Sequence, residues 1–156
     1  MGLDMYLKAK RFLWGMKDHP DHKIATDVSA MFPELTARVR FGNDEPRVNE
    51  IVAEALYWRK ANAIHAWFVK NVQNDVDDCG NYYVDRDQLQ ALRDLCKEVL
   101  ADQSKASELL PSQSGFFFGG VDYDEWYFAD LERTVKEIDE VLAWPADWEF
   151  EYLSSW

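Results

Sequence analysis

The sequence predicts an α+β fold. One domain spans residues 1–156, with about three main helices packed on a small, mostly antiparallel sheet that includes both termini. Three observations predict it. The N-terminal "MGLDMYL" alternates, with Leu3, Met5 and Leu7 on one side and Asp4 and Tyr6 on the other, which is the period of a half-buried strand. The C-terminal "WEFEYLSSW" alternates in the same way, Trp148, Phe150 and Tyr152 against Glu149, Glu151 and Leu153. Between them lie long segments whose apolar residues recur at helical spacing.

The elements follow in order. Residues 15–47 form a peripheral, loop-rich segment, because "GMKDHPDHK" and "FGNDEPR" are dense in turn formers. "IATDVSAMFPELTARV" within it has room for a short helix ending near Pro33. Ile51, Ala53, Ala55 and Tyr57 alternate as a strand. A tight turn and a helix over about 59–73 then follow, with Ala61, Ile64, Phe68 and Val72 inward. One long kinked helix is the alternative. Tyr82–Val84 reads as a short strand, and Asp85 as the N-cap of a helix to about 101 whose inner face is Leu89, Leu92, Leu95/Cys96 and Val99. A connector has space for one helical turn before Pro111. "SGFFFGG" is read as a strand with Phe116 and Phe118 on one face. The last helix starts near Asp122 or Asp124 and stops at Pro145. Its stripe is Trp126/Tyr127, Asp130/Leu131, Thr134/Val135, Ile138 and Val141/Leu142.

Composition narrows the function classes. The chain is 47% hydrophobic and 15% aromatic, enough for a packed core. Its net charge of −12 is uneven. Residues 1–78 carry 11 Lys/Arg against 12 Asp/Glu, a net of −1; residues 79–156 carry 6 against 17, a net of −11. An acidic half repels phosphates and anionic lipids, which argues against direct nucleic-acid or membrane binding and leaves a basic protein surface as a partner. No secretory signal pattern and no long apolar run stand out, so a soluble, reducing compartment is expected, with Cys79 and Cys96 free. No Walker loop, G-x-S-x-G or H-E-x-x-H occurs. "DVDDCG" lacks the spacing of a Ca²⁺ loop or a zinc site and reads as a capping turn, so no metal or cofactor is expected.

One stretch mixes core and chemistry. "YWRKANAIHAWF" (57–68) places Arg59, Asn62 and His65 at every third position, one broad face of a helix beginning near 59. Arg59 and Lys60 would then lie at a helix start, where free N–H groups favour anions. Trp58, Tyr123 and Trp126 supply aromatic surfaces for stacking. This predicts an anion or nucleotide site built from Trp58, Arg59, Lys60, Asn62, His65, Tyr123 and Trp126. The competing reading is an internal polar network, with Arg59 paired to an acid and His65 bonded to backbone.

The strings "MGLDMYL", "YWRKANAIHAWF", "DDCG", "LLPSQSGFFFGG…YDEWY" and "SSW" together resemble a family of small phage- and prophage-encoded proteins. The similar stretches run from Met1 to Trp156, weakest over 15–47. No activity is attached to that family, so it transfers no catalytic residue. The resemblance implies a phage product acting in a bacterial cytoplasm, on host defence or host physiology. A small anionic ligand is the first expectation. An acidic inhibitor or DNA mimic docking on a host protein is the second, and a small enzyme using His65 as base with Asp78 or Asp124 is the third. Oligomeric state is left open.

Overall fold

A computed structural model describes residues 2–156. The chain divides into two compact units, Met1–Ala9 with Glu54–Trp156, and Lys10–Ala53. Strands β1 (Asp4–Phe12) and β4 (Glu50–Arg59) run from one unit into the other. Among the described residues there are five α-helices and a mostly antiparallel four-stranded sheet with strands near both termini, so the fold is α+β.

The larger unit is built on that sheet, in the order β4-β1-β6-β5. The N-terminal β1 and the C-terminal β6 (Glu149–Ser155) are hydrogen-bonded neighbours at its centre. Leu3, just before β1, and Met5, Leu7 and Ala9 within it are fully buried, while Asp4, Tyr6 and Lys8 alternate outward, as the period-two pattern requires. On the outward face, Tyr6 packs against Tyr57, whose hydroxyl donates to Asp4. In β6 the buried set is Phe150, Tyr152 and Ser154. β5 (Tyr82–Val84) closes the edge antiparallel to β6, with Tyr82 opposite Tyr152.

Helices α2 (Asn62–Asn71), α3 (Arg86–Ala101) and α5 (Glu125–Leu142) complete the core; α4 (Ala106–Leu109) is a single turn. α3 starts at a reciprocal capping box, Asp85 with Gln88, which satisfies two otherwise orphaned donors. It buries Leu89, Leu92, Cys96 and Val99 and packs along α5. α5 begins after Asp124 and buries Leu131, Thr134, Ile138 and Val141. Burial pushes the Cys96 thiol up to about 12, whereas Cys79 is exposed. A thiol reagent is therefore expected to titrate one cysteine in the native protein and both after unfolding. Two fast-reacting thiols in the folded protein would contradict this packing.

Two expectations need correction here. "SGFFFGG" is not a strand. Residues 116–118 form a turn closed by the Phe118 N–H bonding the Gly115 carbonyl, and the only ladder-like bond is from Leu3 N–H to the Phe117 carbonyl among the described residues. Gly119 at φ +86 lets the chain reverse where an L side chain would be strained. Phe118 is buried, but Phe116 is 96% exposed, so the alternation read into the three Phe is lost. The second correction concerns the helix expected from 59. β4 extends through Arg59, Lys60 turns with φ +58, and α2 starts only at Asn62. Leu56 and Trp58 are the core-facing pair of that strand.

The smaller unit, Lys10–Ala53, contains α1 (Pro20–Ala30) and a hairpin of β2 (Arg38–Arg40) and β3 (Asn43–Glu45). The helix starts earlier than its apolar pattern suggests, because His19 caps it and Pro20 suits its first turn. The hairpin turns through Phe41 and Gly42, both at positive φ, the backbone that matches the strand twist of a two-residue hairpin. Asp21 is buried and ion-paired with Arg11 at 2.8 Å.

Candidate functional site

The turn between β4 and α2 is held rigidly. The Lys60 N–H donates to the Leu3 carbonyl at 2.7 Å, and the Asn62 N–H donates back to the Lys60 carbonyl at 2.9 Å. Lys60 adopts the left-handed backbone that non-glycine residues avoid. Its aliphatic stem fits a slot that two glycines leave open. A Cβ at Gly119 would sit 3.1 Å from the Lys60 Cβ, and one at Gly2 would sit 3.3 Å from its Cε. The stem is thus packed while the residue as a whole stays exposed.

Asn62 lies behind this turn and is buried. Its Nδ2 donates to the carbonyls of Phe118 and Gly120, at 3.0 and 2.7 Å, and its Oδ1 accepts from the Gln113 N–H at 2.9 Å. One side chain therefore ties residues 113–120 to the start of α2. This fills most of an amide's hydrogen-bonding capacity and makes Asn62 the organiser of a wall, not a free ligand group.

That wall and the start of α5 border a half-open cavity of about 540 Å³. Three cations line it, Arg59, Lys60 and Arg133, together with three carboxylates, Asp122, Asp124 and Asp130. Arg59 is only loosely associated with Asp4, at 3.9 Å, and Arg133 bonds Asp130 at 3.0 Å. Lys60 has no ion pair among the described residues. The N-terminus of α2 also opens into the cavity. Its N-cap, Ala61, has no acceptor side chain, and the N–H groups of Ala63 and Ile64 have no hydrogen-bond acceptor among the described residues. Unfilled donors at a helix start favour negative charge.

The opposite wall comes from α5. Asp124 caps that helix, accepting from the N–H groups of Trp126 and Tyr127, so the α5 terminus is already occupied. Trp126, 72% exposed, presents its indole at the cavity. Tyr127 donates to the Leu110 carbonyl, and burial pushes its phenol up. Burial also raises the Asp130 carboxyl, and Arg133 partly offsets this.

The structure brings together Arg59, Lys60, Asn62 and Trp126, and leaves out the other three residues of the expected site. Trp58 is fully buried and donates from Nε1 to Thr134 Oγ1 at 2.8 Å; facing the core, it has no surface on which a ligand stacks. Tyr123 lies outside the cavity lining, with its hydroxyl accepting from the Ser112 N–H. His65 has no exposure. Its Nδ1 is 2.7 Å from the Tyr152 hydroxyl and its Nε2 is 3.0 Å from Asp77, which also accepts from the Trp156 indole N–H. The acid beside His65 is thus Asp77, not Asp78 or Asp124. Nor do Arg59 and His65 share a helix face, since Arg59 ends a strand.

Sequence reasoning missed Arg133 and Asp130 as lining residues. A signal was present: Asp130 interrupts the apolar stripe of α5, with Trp126 and Arg133 at helical spacing from it. No cluster of three His, Cys, Asp or Glu suited to a metal occurs among the described residues, and no helix there is long and apolar enough to cross a membrane. Compared with known proteins, the chain matches no family model, no curated protein and no solved structure.

Proposed function

We propose that this chain is a phage-type binding protein that captures a small anionic molecule, of nucleotide size, in the cavity between α2 and α5. The observation that carries the reading is convergence: Lys60, Arg59, Arg133 and two unfilled N–H groups border one cavity with the exposed Trp126 indole. The cations and helix donors suit phosphate or carboxylate oxygens. The indole suits a planar group. A volume of about 540 Å³ falls in the range of small-ligand sites. In a bacterial cytoplasm, sequestering a nucleotide signal would blunt a host defence response or alter host physiology. The reading requires no reaction, and His65, with both ring nitrogens engaged in the interior, is left a structural role.

A direct test is to denature the protein purified from its native host and identify any released ligand by mass spectrometry. A nucleotide panel scanned by thermal shift complements it. A true ligand at 100 times its Kd is expected to add about 2.7 kcal/mol of stability. Lys60→Glu and Arg133→Glu should each weaken that ligand roughly 10- to 100-fold, since a charge-assisted hydrogen bond contributes about 1.5–3 kcal/mol. If both variants bind as tightly as the parent, the cavity is not the site.

A second reading has its own support. The 7 Lys/Arg and 7 Asp/Glu of residues 10–53 balance, so the whole net charge of −12 belongs to the larger unit. An acidic body of this kind would dock on a basic host protein, with binding that weakens as salt rises.

A further inference from the structure

The smaller unit carries a surface that the cavity reading does not use. A groove of about 330 Å³ runs between the segment 12–16 and the β2–β3 hairpin. Phe12, Trp14, Met16 and Phe41 line it, all exposed, with Phe41 at 90%. Phe12 and Trp14 pack edge to face at 5.1 Å, which presets the apolar wall. Exposed aromatic and Met side chains gathered this closely mark a contact surface.

Two arginines border the same groove. Arg38 and Arg40 lie two apart on β2, hence on one face of the hairpin. Arg40 stands over the Phe41 ring at 5.6 Å. Arg38 has a buried Nε with no hydrogen-bond acceptor among the described residues. A guanidinium is best satisfied by a carboxylate that accepts two parallel bonds.

We propose that this groove docks an acidic, aromatic-bearing segment of another protein. A partner carboxylate accepts from Arg38, a second meets Arg40, and partner aromatics fill the space between Trp14 and Phe41. A protein segment fits better than a nucleic acid, because apolar partner side chains can cover the wall of Phe12, Trp14, Met16 and Phe41, and the unit has no net positive charge to hold a continuous phosphate chain. Trp, Phe, Met and Arg are the side chains that anchor protein interfaces.

The probe is a fluorescein-labelled random Glu–Tyr copolymer, followed by anisotropy, with polyglutamate and an oligo-dT strand of similar length as comparisons. The copolymer is expected to bind more tightly than either. Arg40→Glu and Phe41→Ser, both at exposed positions, should each weaken it at least 10-fold while circular dichroism and melting stay at parent values; Arg38→Ala should do the same. Equal binding by parent and variants, tighter binding of oligo-dT, or no copolymer binding would overturn the proposal. So would a dimer, seen by light scattering, that the same variants dissolve, because the groove would then be filled by a second copy. None of these outcomes depends on the α2–α5 cavity, so the two readings fail separately.

Discussion

Trp58→Ala is expected to destabilise the protein by about 3–5 kcal/mol, the usual range for emptying a buried aromatic site. Trp58 is the largest fully buried side chain and packs at 5.7 Å from Phe68. Phe68 in turn stacks face to face on Tyr152 at 3.9 Å. Removing the indole therefore opens a void at the β4 end of an aromatic row joining β4, α2 and β6. It also strips Thr134 Oγ1 of its donor, though that hydroxyl still donates to the Asp130 carbonyl at 2.6 Å. Trp58→Phe separates the two contributions. It keeps most of the packing and loses the N–H bond, so its cost should be smaller, near the roughly 1 kcal/mol of a net hydrogen bond plus the volume difference. Urea unfolding at constant m-value is the measurement. A cost below 1 kcal/mol for the alanine variant would mean that Trp58 is not in the core.

His65→Ala is expected to cost about 3 kcal/mol, a loss typical of breaking a buried polar network, while Arg59→Ala leaves the unfolding midpoint nearly unchanged. Burial holds the Tyr152 phenol well above its ordinary value, so it stays protonated and can donate to Nδ1. With Nδ1 accepting from Tyr152, Nε2 is left to donate to Asp77, and every member has a partner. Alanine leaves the Tyr152 hydroxyl buried without its acceptor and removes the ring that packs edge-on against Phe118 at 5.2 Å. Arg59, by contrast, has a mostly exposed side chain and a 3.9 Å approach to Asp4, an ion pair of the kind that adds little. A double-mutant cycle with Tyr152→Phe should show coupling, because the two residues share one bond. If Arg59→Ala proved as damaging as His65→Ala, the two would belong to one network after all, contrary to the geometry.

The expected helix face is where the sequence was least informative. Arg59, Asn62 and His65 have regular spacing, but spacing identifies a face only within one element. The boundary at Lys60 depends on a hydrogen bond to Leu3, 57 positions away in the chain. Once the strand runs through Arg59, the three residues separate into an exposed cation, a buried amide that fastens residues 113–120, and a buried imidazole bonded to Tyr152. Of the residues expected to bind ligand, those that reach the cavity do so because the turn at Lys60 and the first turn of α5 face each other.

The sequence by itself determined the periodic elements and most of their caps: β1 and β6 by alternation, α3 by Asp85 and its Leu stripe, α5 to its end before Pro145, with Asp122 or Asp124 as its start. These depend on local backbone geometry and on which side chains avoid water, and both are written within a few residues. Only the tertiary structure decided what the polar residues do. Tyr152, one partner of His65, lies 87 positions away, and those of Asn62 lie 51 to 58 away. Whether a buried donor meets the protein's own acceptor or faces an open cavity is set by those long-range meetings, and no local pattern encodes them.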